Sequence, residues 1–220
     1  MNEPLTGRII KVAGPAVVAE GLATAKLDDI VWVGQDRLLG EVIRVQQDRA
    51  FLQVFEDTTG LQVGEPVVNT GAPLSVTLGP GLLGQIYDGI QRPLETLRAA
   101  HGAFLARGVT APALPPAQRW DFQPRVQLGS RVVSGTVLGE VEERPGRIHR
   151  VLVPPGVQGE VAEVRDGLRA ADEPVVRLDS GRELTMSQRW PVKRGRPYRE
   201  KLDPSEPFLT GQRVLDTLMP

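Results

Sequence analysis

Apolar and polar positions alternate through much of the first seventy residues, as expected of strands with one face buried. The pattern predicts strands over Gly7–Val12, Ala16–Ala19, Asp29–Val33, Arg37–Gln46 and Ala50–Phe55, with Pro66–Asn69 closing the set. Turn residues separate them: Gly14-Pro15, Gly34-Gln35-Asp36, Gln47-Asp48 and Asp57–Gly60. Short strands at this spacing predict a small closed β-barrel, since closure leaves no exposed sheet edge.

Pro73–Leu78 is a further extended segment, and the pattern then breaks. Leu78–Leu94 reads LGPGLLGQIYDGIQRPL, with four glycines and two prolines among apolar residues, and it suits a hinge between two bodies. A short helix is expected over Pro93–His101, with Pro93 in its first turn and Gly102 as its stop. Residues 109–124 carry four prolines and predict an irregular connector. Short Val-rich strands separated by glycines return from Arg125 to Asp179 and predict a second β-rich body. Gln188–Pro197 reads as a basic linker. Phe208–Met219 places Leu209, Val214, Leu215 and Leu218 near helical spacing, with Thr210 as a candidate N-cap. Because this apolar helix is only forming when Pro220 is reached, a chain cut short of a third domain is expected.

The expected fold is therefore mainly β. Residues 1–72 form the N-terminal closed β-barrel, 73–109 the glycine hinge with its short helix, and 110–187 a β-rich bulge resembling a flattened barrel. Residues 188–220 form a linker and a truncated third element.

Composition narrows the chemistry. With 40% hydrophobic and 24% charged residues, the 220-residue chain can bury a core. Its net charge of -1 supplies no field toward nucleic acid or anionic lipid. The absence of cysteine removes disulfides, thiolate metal ligands and thiol nucleophiles. The N-terminus MNEPLTGRIIKV lacks the apolar core of a secretion signal, and no uncharged apolar run approaches the length of a membrane span.

Gly79–Gly84 (GPGLLG) has the spacing of a dinucleotide-binding turn, but such a turn needs a helix directly after it and an acidic residue about 20 positions on. Gly89 and Pro93 interrupt any such helix, and no acid stands near position 104, so a tight glycine turn is the expectation. A phosphate-cradling loop requires Gly-Lys-Ser/Thr. The only lysines, Lys11, Lys26, Lys193 and Lys201, never follow glycine. The same scarcity excludes a lipoyl or biotinyl carrier, which needs a hairpin lysine between Lys26 and Lys193. His101 and His149 make a poor metal set and are expected at the surface or as caps. Glu140, Glu142 and Glu143 read as a solvated face. Lys193, Arg194, Arg196, Arg199 and Lys201 form the single basic run, flanked by Trp190 and Tyr198, and suit a subunit contact or a linker better than nucleic acid. No catalytic, cofactor-binding or metal residue is assigned.

Several stretches nevertheless resemble one family in the same order. Gly79-Pro80-Gly81-Leu82-Leu83-Gly84 and Ile86-Tyr87-Asp88-Gly89-Ile90-Gln91-Arg92-Pro93-Leu94 resemble the catalytic A subunits of V-type (V/A-type) rotary ATPases. Lys11–Val18, Val54–Leu61, Val63–Val67, Val153–Gly159, Trp190–Val192, Leu202–Pro204 and Pro207–Asp216 are similar to further segments of that family. The β-rich insertion at 110–187 points to the catalytic A subunits, because the non-catalytic B subunits and the F-type subunits lack it.

The resemblance implies a proton-transporting two-sector ATPase or ATP synthase, with ATP or ADP and Mg2+ in the parent protein and none in this piece. The resemblance makes residues 188–220 the linker and truncated start of an α/β nucleotide-binding domain, whose P-loop, catalytic glutamate and magnesium ligand lie beyond Pro220 in the family. The implied partners are B subunits in an alternating ring, together with central and peripheral stalk subunits, and no nucleic acid. The implied location is the cytoplasmic side of a membrane, reached only through the complex. A free-standing β-barrel scaffold protein is the competing expectation.

Overall fold

A computed structural model describes residues 5–102, 104 and 107–218. The barrel consists of β1 (Thr6–Ala13), β2 (Ala16–Glu20), β3 (Asp29–Val33), β4 (Leu38–Gln46), β5 (Arg49–Val54) and β6 (Pro66–Pro73). All pairings are antiparallel, in the order β1-β2-β5-β4-β3-β6, and β1 closes on β6 through Thr6–Val68, Gly7–Val67 and Arg8–Pro66. Inward positions carry small or branched side chains, and Ile9, Val17, Val31, Leu38, Val42 and Leu52 are all buried in one cluster. Each such side chain contributes about 1.5–3 kcal/mol when removed from water. β4 begins one residue later than expected because Arg37 takes a left-handed turn conformation, φ 54°.

Beyond the barrel the chain forms β7 (Ser75–Leu78), the glycine-rich segment, and helix α1 (Leu94–His101). Pro93 caps α1 from outside at ψ 111° rather than entering its first turn, and Gly102 (φ 85°) ends it by donating its N–H to the Arg98 carbonyl. Leu97 is the one buried residue of α1.

The second body has two four-stranded sheets. β8 (Arg119–Pro124), β10 (Val137–Arg144), β11 (Arg147–Leu152) and β13 (Gly167–Ala170) pair in the order β11-β10-β8-β13. β9 (Arg131–Val132), β12 (Gly159–Val164), β14 (Pro174–Leu178) and β15 (Glu183–Thr185) pair in the order β15-β14-β12-β9. Phe122, Leu138, Val141, Val161, Val176 and Leu178 belong to the core they share. Gly139 is required there, because a Cβ would run into the Phe122 ring and would lie 2.6 Å from the Gln123 carbonyl oxygen.

Two expectations fail. The stretch 109–124 is irregular only in part: Arg119–Pro124 is β8, held between β10 and β13. Its alternation of buried Trp120 and Phe122 with exposed Arg119, Asp121 and Gln123 outweighs the prolines, which fall before the strand or at its end. Gln188–Pro191, read as linker, is β16, and it pairs with β7 from Gln188–Leu78 to Pro191–Ser75. At the far end, α2 covers only Arg213–Leu218 and buries no residue. Thr210 lies outside α2: its hydroxyl accepts the Gln212 N–H at 3.1 Å, while Asp216 accepts both the Thr210 N–H and its hydroxyl. Among the described residues no helix is long and apolar enough to cross a membrane.

Candidate functional site

The chain leaves the barrel through β7 and returns beside it through β16, so everything between hangs from a two-stranded ribbon. The glycine-rich segment packs at the root of that ribbon, where its side chains form a continuous polar network. Gln91 sits at φ 63°, a left-handed conformation that costs a non-glycine residue roughly 1 kcal/mol. The conformation turns its amide onto β7. Oε1 accepts the Thr77 N–H at 2.6 Å, and Nε2 donates to the Thr77 carbonyl at 2.7 Å.

Asp88 gathers the next turn. One carboxylate oxygen accepts the N–H groups of Ile90 (3.1 Å) and Arg92 (2.8 Å), and the other accepts Arg92 Nε at 2.6 Å. Arg92 then reaches two separate segments, donating to Glu56 Oε2 at 3.3 Å and to the Val109 carbonyl at 3.1 Å. Glu56, just after β5, also accepts the Gly108 N–H at 3.0 Å. One guanidinium thus ties the barrel wall, the glycine segment and the connector together. The three side chains are 12–20% exposed, so water screens them little. Burial alone would raise the Asp88 pKa, but the bonds from Arg92 and Ile90 hold it below the ordinary aspartate value. Burial would lower that of Arg92, and the two carboxylates raise it instead.

The other side of the glycine segment meets the second body. The Gly81 N–H donates to Glu143 at 2.9 Å, and the Leu83 carbonyl accepts from Arg144 at 3.1 Å. Gly81, at φ 100°, leaves only 3.0 Å between a would-be Cβ and the Trp120 ring. Tyr87 donates its hydroxyl to the Ala113 carbonyl at 2.7 Å, and its burial raises its pKa.

The residues weighed from sequence are distributed as follows. GPGLLG is a turn whose central N–H already serves a protein carboxylate, and the next helix starts ten residues after Gly84, at Leu94. It has no dinucleotide geometry. The glutamates do not share one solvated face. Glu140 pairs with Arg125 and Arg150, Glu142 accepts the Gly146 N–H, and the Glu143 side chain is only 4% exposed. His149 stands 3.5 Å from Glu143, and burial lowers its pKa against the opposing pull of that carboxylate. His101 ends α1, exposed. The basic run is largely spent on the protein itself. Lys193 bonds Asp28 at 2.8 Å and Glu41 at 2.9 Å on the barrel. Arg194 and Arg196 lie over the Trp190 ring, 5.6 and 4.4 Å from its centroid.

Sequence reading missed Glu56, Asp88 and Arg92 as a unit. Charge alternation could not have found them, because Glu56 lies 36 residues from Arg92. Among the described residues no group of three His, Cys, Asp or Glu side chains could hold a metal ion. With no Gly-Lys in the chain, the residues do not fit a nucleotide with its magnesium.

Residues 9–71 match the beta-barrel domain of the ATP synthase alpha/beta family, and residues 111–193 match the barrel-sandwich domain of the ATP synthase alpha/beta subunits. The V-type ATP synthase alpha chain of Anaeromyxobacter sp. (strain K) is 54% identical over 216 residues, 98% of this chain and 37% of that protein. The chain belongs to the ATP synthase alpha/beta family. The V-type ATP synthase alpha chain 1 of Clostridium tetani is 49% identical over 218 residues, 98% and 37% of the two chains. The V-type ATP synthase alpha chain of Acetivibrio thermocellus is 50% identical over 218 residues, 97% of this chain and 37% of that protein. The chain therefore spans little more than a third of these curated relatives. The two matched segments fall on the barrel and on the second body, and the glycine-rich segment between them bonds to both, through Arg92 to Glu56 and through the Gly81 N–H to Glu143.

Proposed function

We propose that this chain acts as the N-terminal part of the catalytic A subunit of a V-type ATPase/ATP synthase, supplying assembly surfaces and not the active site. The observation that carries the reading is the 54% identity running over 98% of the chain to a V-type ATP synthase alpha chain. In this reading residues 1–72 form the barrel that ties A subunits into an alternating ring with B subunits. Residues 73–109 set the angle of the bulge, residues 110–187 form the bulge that faces the stalk subunits, and residues 188–220 lead into the nucleotide-binding domain. The whole protein is a proton-transporting two-sector ATPase. It binds ATP or ADP with Mg2+ in a later domain and reaches the membrane only through its complex. Nucleotide, when bound there, supplies the free energy coupled to ion transport.

Within this part the junction network has a mechanical role. It keeps the bulge at a fixed angle to the ring, with Arg92 holding both Asp88 and Glu56. The test is a chimera in which this chain replaces the matching third of the Anaeromyxobacter relative. Assembly of a complex that hydrolyses ATP is the expected result, while the 220-residue chain alone binds no Mg-ATP in calorimetry. A chimera that folds but never enters a complex would overturn the assignment and favour a free-standing scaffold.

A further inference from the structure

Three clefts on one side of the molecule run into one another. The first, about 600 Å3, opens on the barrel between Lys26, Arg37 and Gly71. The second, about 430 Å3, shares Trp32 and Thr70 with it and continues over Ile30, Leu39 and Leu74 toward Arg189. The third, about 280 Å3, shares Glu56, Leu74, Ile90 and Arg92 with the second and ends at Phe55 and Gly89. Linked in series by these shared residues, the clefts form a trough that is mainly apolar in its second and third parts and half polar in its first, which suits an extended chain better than a compact small molecule.

Its charge is one-sided once internal bonds are counted. Asp29 is buried and accepts the Lys26 N–H and the Asn69 side-chain amide, each at 2.9 Å. Glu56 and Asp88 are held by Arg92. Among the described residues the cations are less occupied. Lys26 and Arg189 have no side-chain partner, and the Arg37 guanidinium meets only the Trp32 face, 5.3 Å from its centroid. Every lining acid is thus satisfied within the protein, and the groups left to meet an incoming chain are positive. Arg37 stacked on a half-buried tryptophan is a pre-ordered donor above an apolar surface, an arrangement common where interfaces are strongest.

We infer that this trough docks an extended acidic segment of a partner polypeptide. Its carboxylates meet Lys26, Arg37 and Arg189, and its apolar side chains lie along Trp32, Leu74 and Ile90. The surface lies beside the junction network but does not depend on the assembly role above, so the test uses the 220-residue chain alone.

The probe is a labelled peptide of about ten residues in which glutamate alternates with leucine and phenylalanine. Its fluorescence anisotropy is read from about 0.05 to about 0.5 M salt. Saturable binding that weakens with salt is expected, reduced about tenfold in the double variant Arg37→Gln/Arg189→Gln and unchanged in Arg182→Gln on the second body. Arg37 and Arg189 are exposed, so the variant folds. The inference is overturned if no saturable binding is seen, if the glutamine version of the peptide binds equally, or if the double variant binds as well as the parent. Equal binding of an oligothymidylate would also overturn it, in favour of a nucleic-acid surface.

Discussion

Replacing Arg92 with methionine keeps the length and apolar body of the side chain and deletes the guanidinium. Three bonds go: to Asp88 at 2.6 Å, to Glu56 at 3.3 Å and to the Val109 carbonyl at 3.1 Å. Removing one partner of a buried ion pair costs about 3–5 kcal/mol, mostly because the remaining charge loses its compensation. Here both carboxylates keep backbone donors, Ile90 and the residue-92 N–H for Asp88 and the Gly108 N–H for Glu56, so the lower end, about 3 kcal/mol, applies. The barrel core does not include Arg92, so the loss is local to the junction. Hydrogen exchange resolved by peptide is the appropriate assay. A cost of about 3 kcal/mol speeds exchange of the Gly108, residue-92 and Leu94 amides about 150-fold, with strands β2, β4 and β5 little changed. If orphaned charge is the cause, adding Glu56→Gln and Asp88→Asn restores much of the protection. Less than tenfold faster exchange in the single variant, or no recovery in the triple, would refute the reasoning.

Other outcomes follow from the same contacts. Gln91→Gly relieves the left-handed strain, worth about 1 kcal/mol, but removes two bonds to Thr77 worth about 1 kcal/mol each, so chemical denaturation should show a net loss of about 1 kcal/mol. Phe122→Ala should cost about 3–5 kcal/mol and melt the second body before the barrel, as read by the separate fluorescence of Trp120 and Trp32 variants. The His149 pKa is lowered in the folded protein, so the unfolded chain binds the extra proton and stability falls as pH drops below about 6.5. The urea midpoint of the second body should therefore be lower at acid pH, and His149→Gln should flatten that slope. Asp88 titrates below its ordinary value, so its contribution persists above about pH 3.8 and disappears only as pH falls through its folded value. Carbodiimide treatment should join Lys193 to Asp28 or Glu41, a crosslink visible by mass spectrometry and absent in Lys193→Gln.

The barrel was readable because alternation and turn residues agree. Val17, Ala19, Leu52 and Val54 point inward at every second position, and Gly14 and Gln47 sit where left-handed turn conformations are needed. β8 was hidden by composition, because prolines dominate the window even though Trp120 and Phe122 carry the strand period. β16 was hidden by charge: a run of arginines and lysine reads as solvated, yet Trp190 is buried, donates Nε1–H to the Arg194 carbonyl at 2.6 Å and lies beneath two guanidinium groups. Glu143 read as solvent-facing for the same reason. Its partner, the Gly81 N–H, is 62 residues away and invisible to any local pattern. The junction was marked only by its glycines, and the wiring of Glu56, Asp88 and Arg92 emerges from tertiary proximity.

The central claim is that the chain serves as part of a rotary-ATPase catalytic subunit. The most direct test is the intact mass of the native protein in its source cells, detected with an antibody against residues 125–186. The claim predicts a species far larger than 23.9 kDa that co-purifies with a membrane-bound, ATP-hydrolysing complex. A native species of 23.9 kDa, free of any such complex, would contradict it.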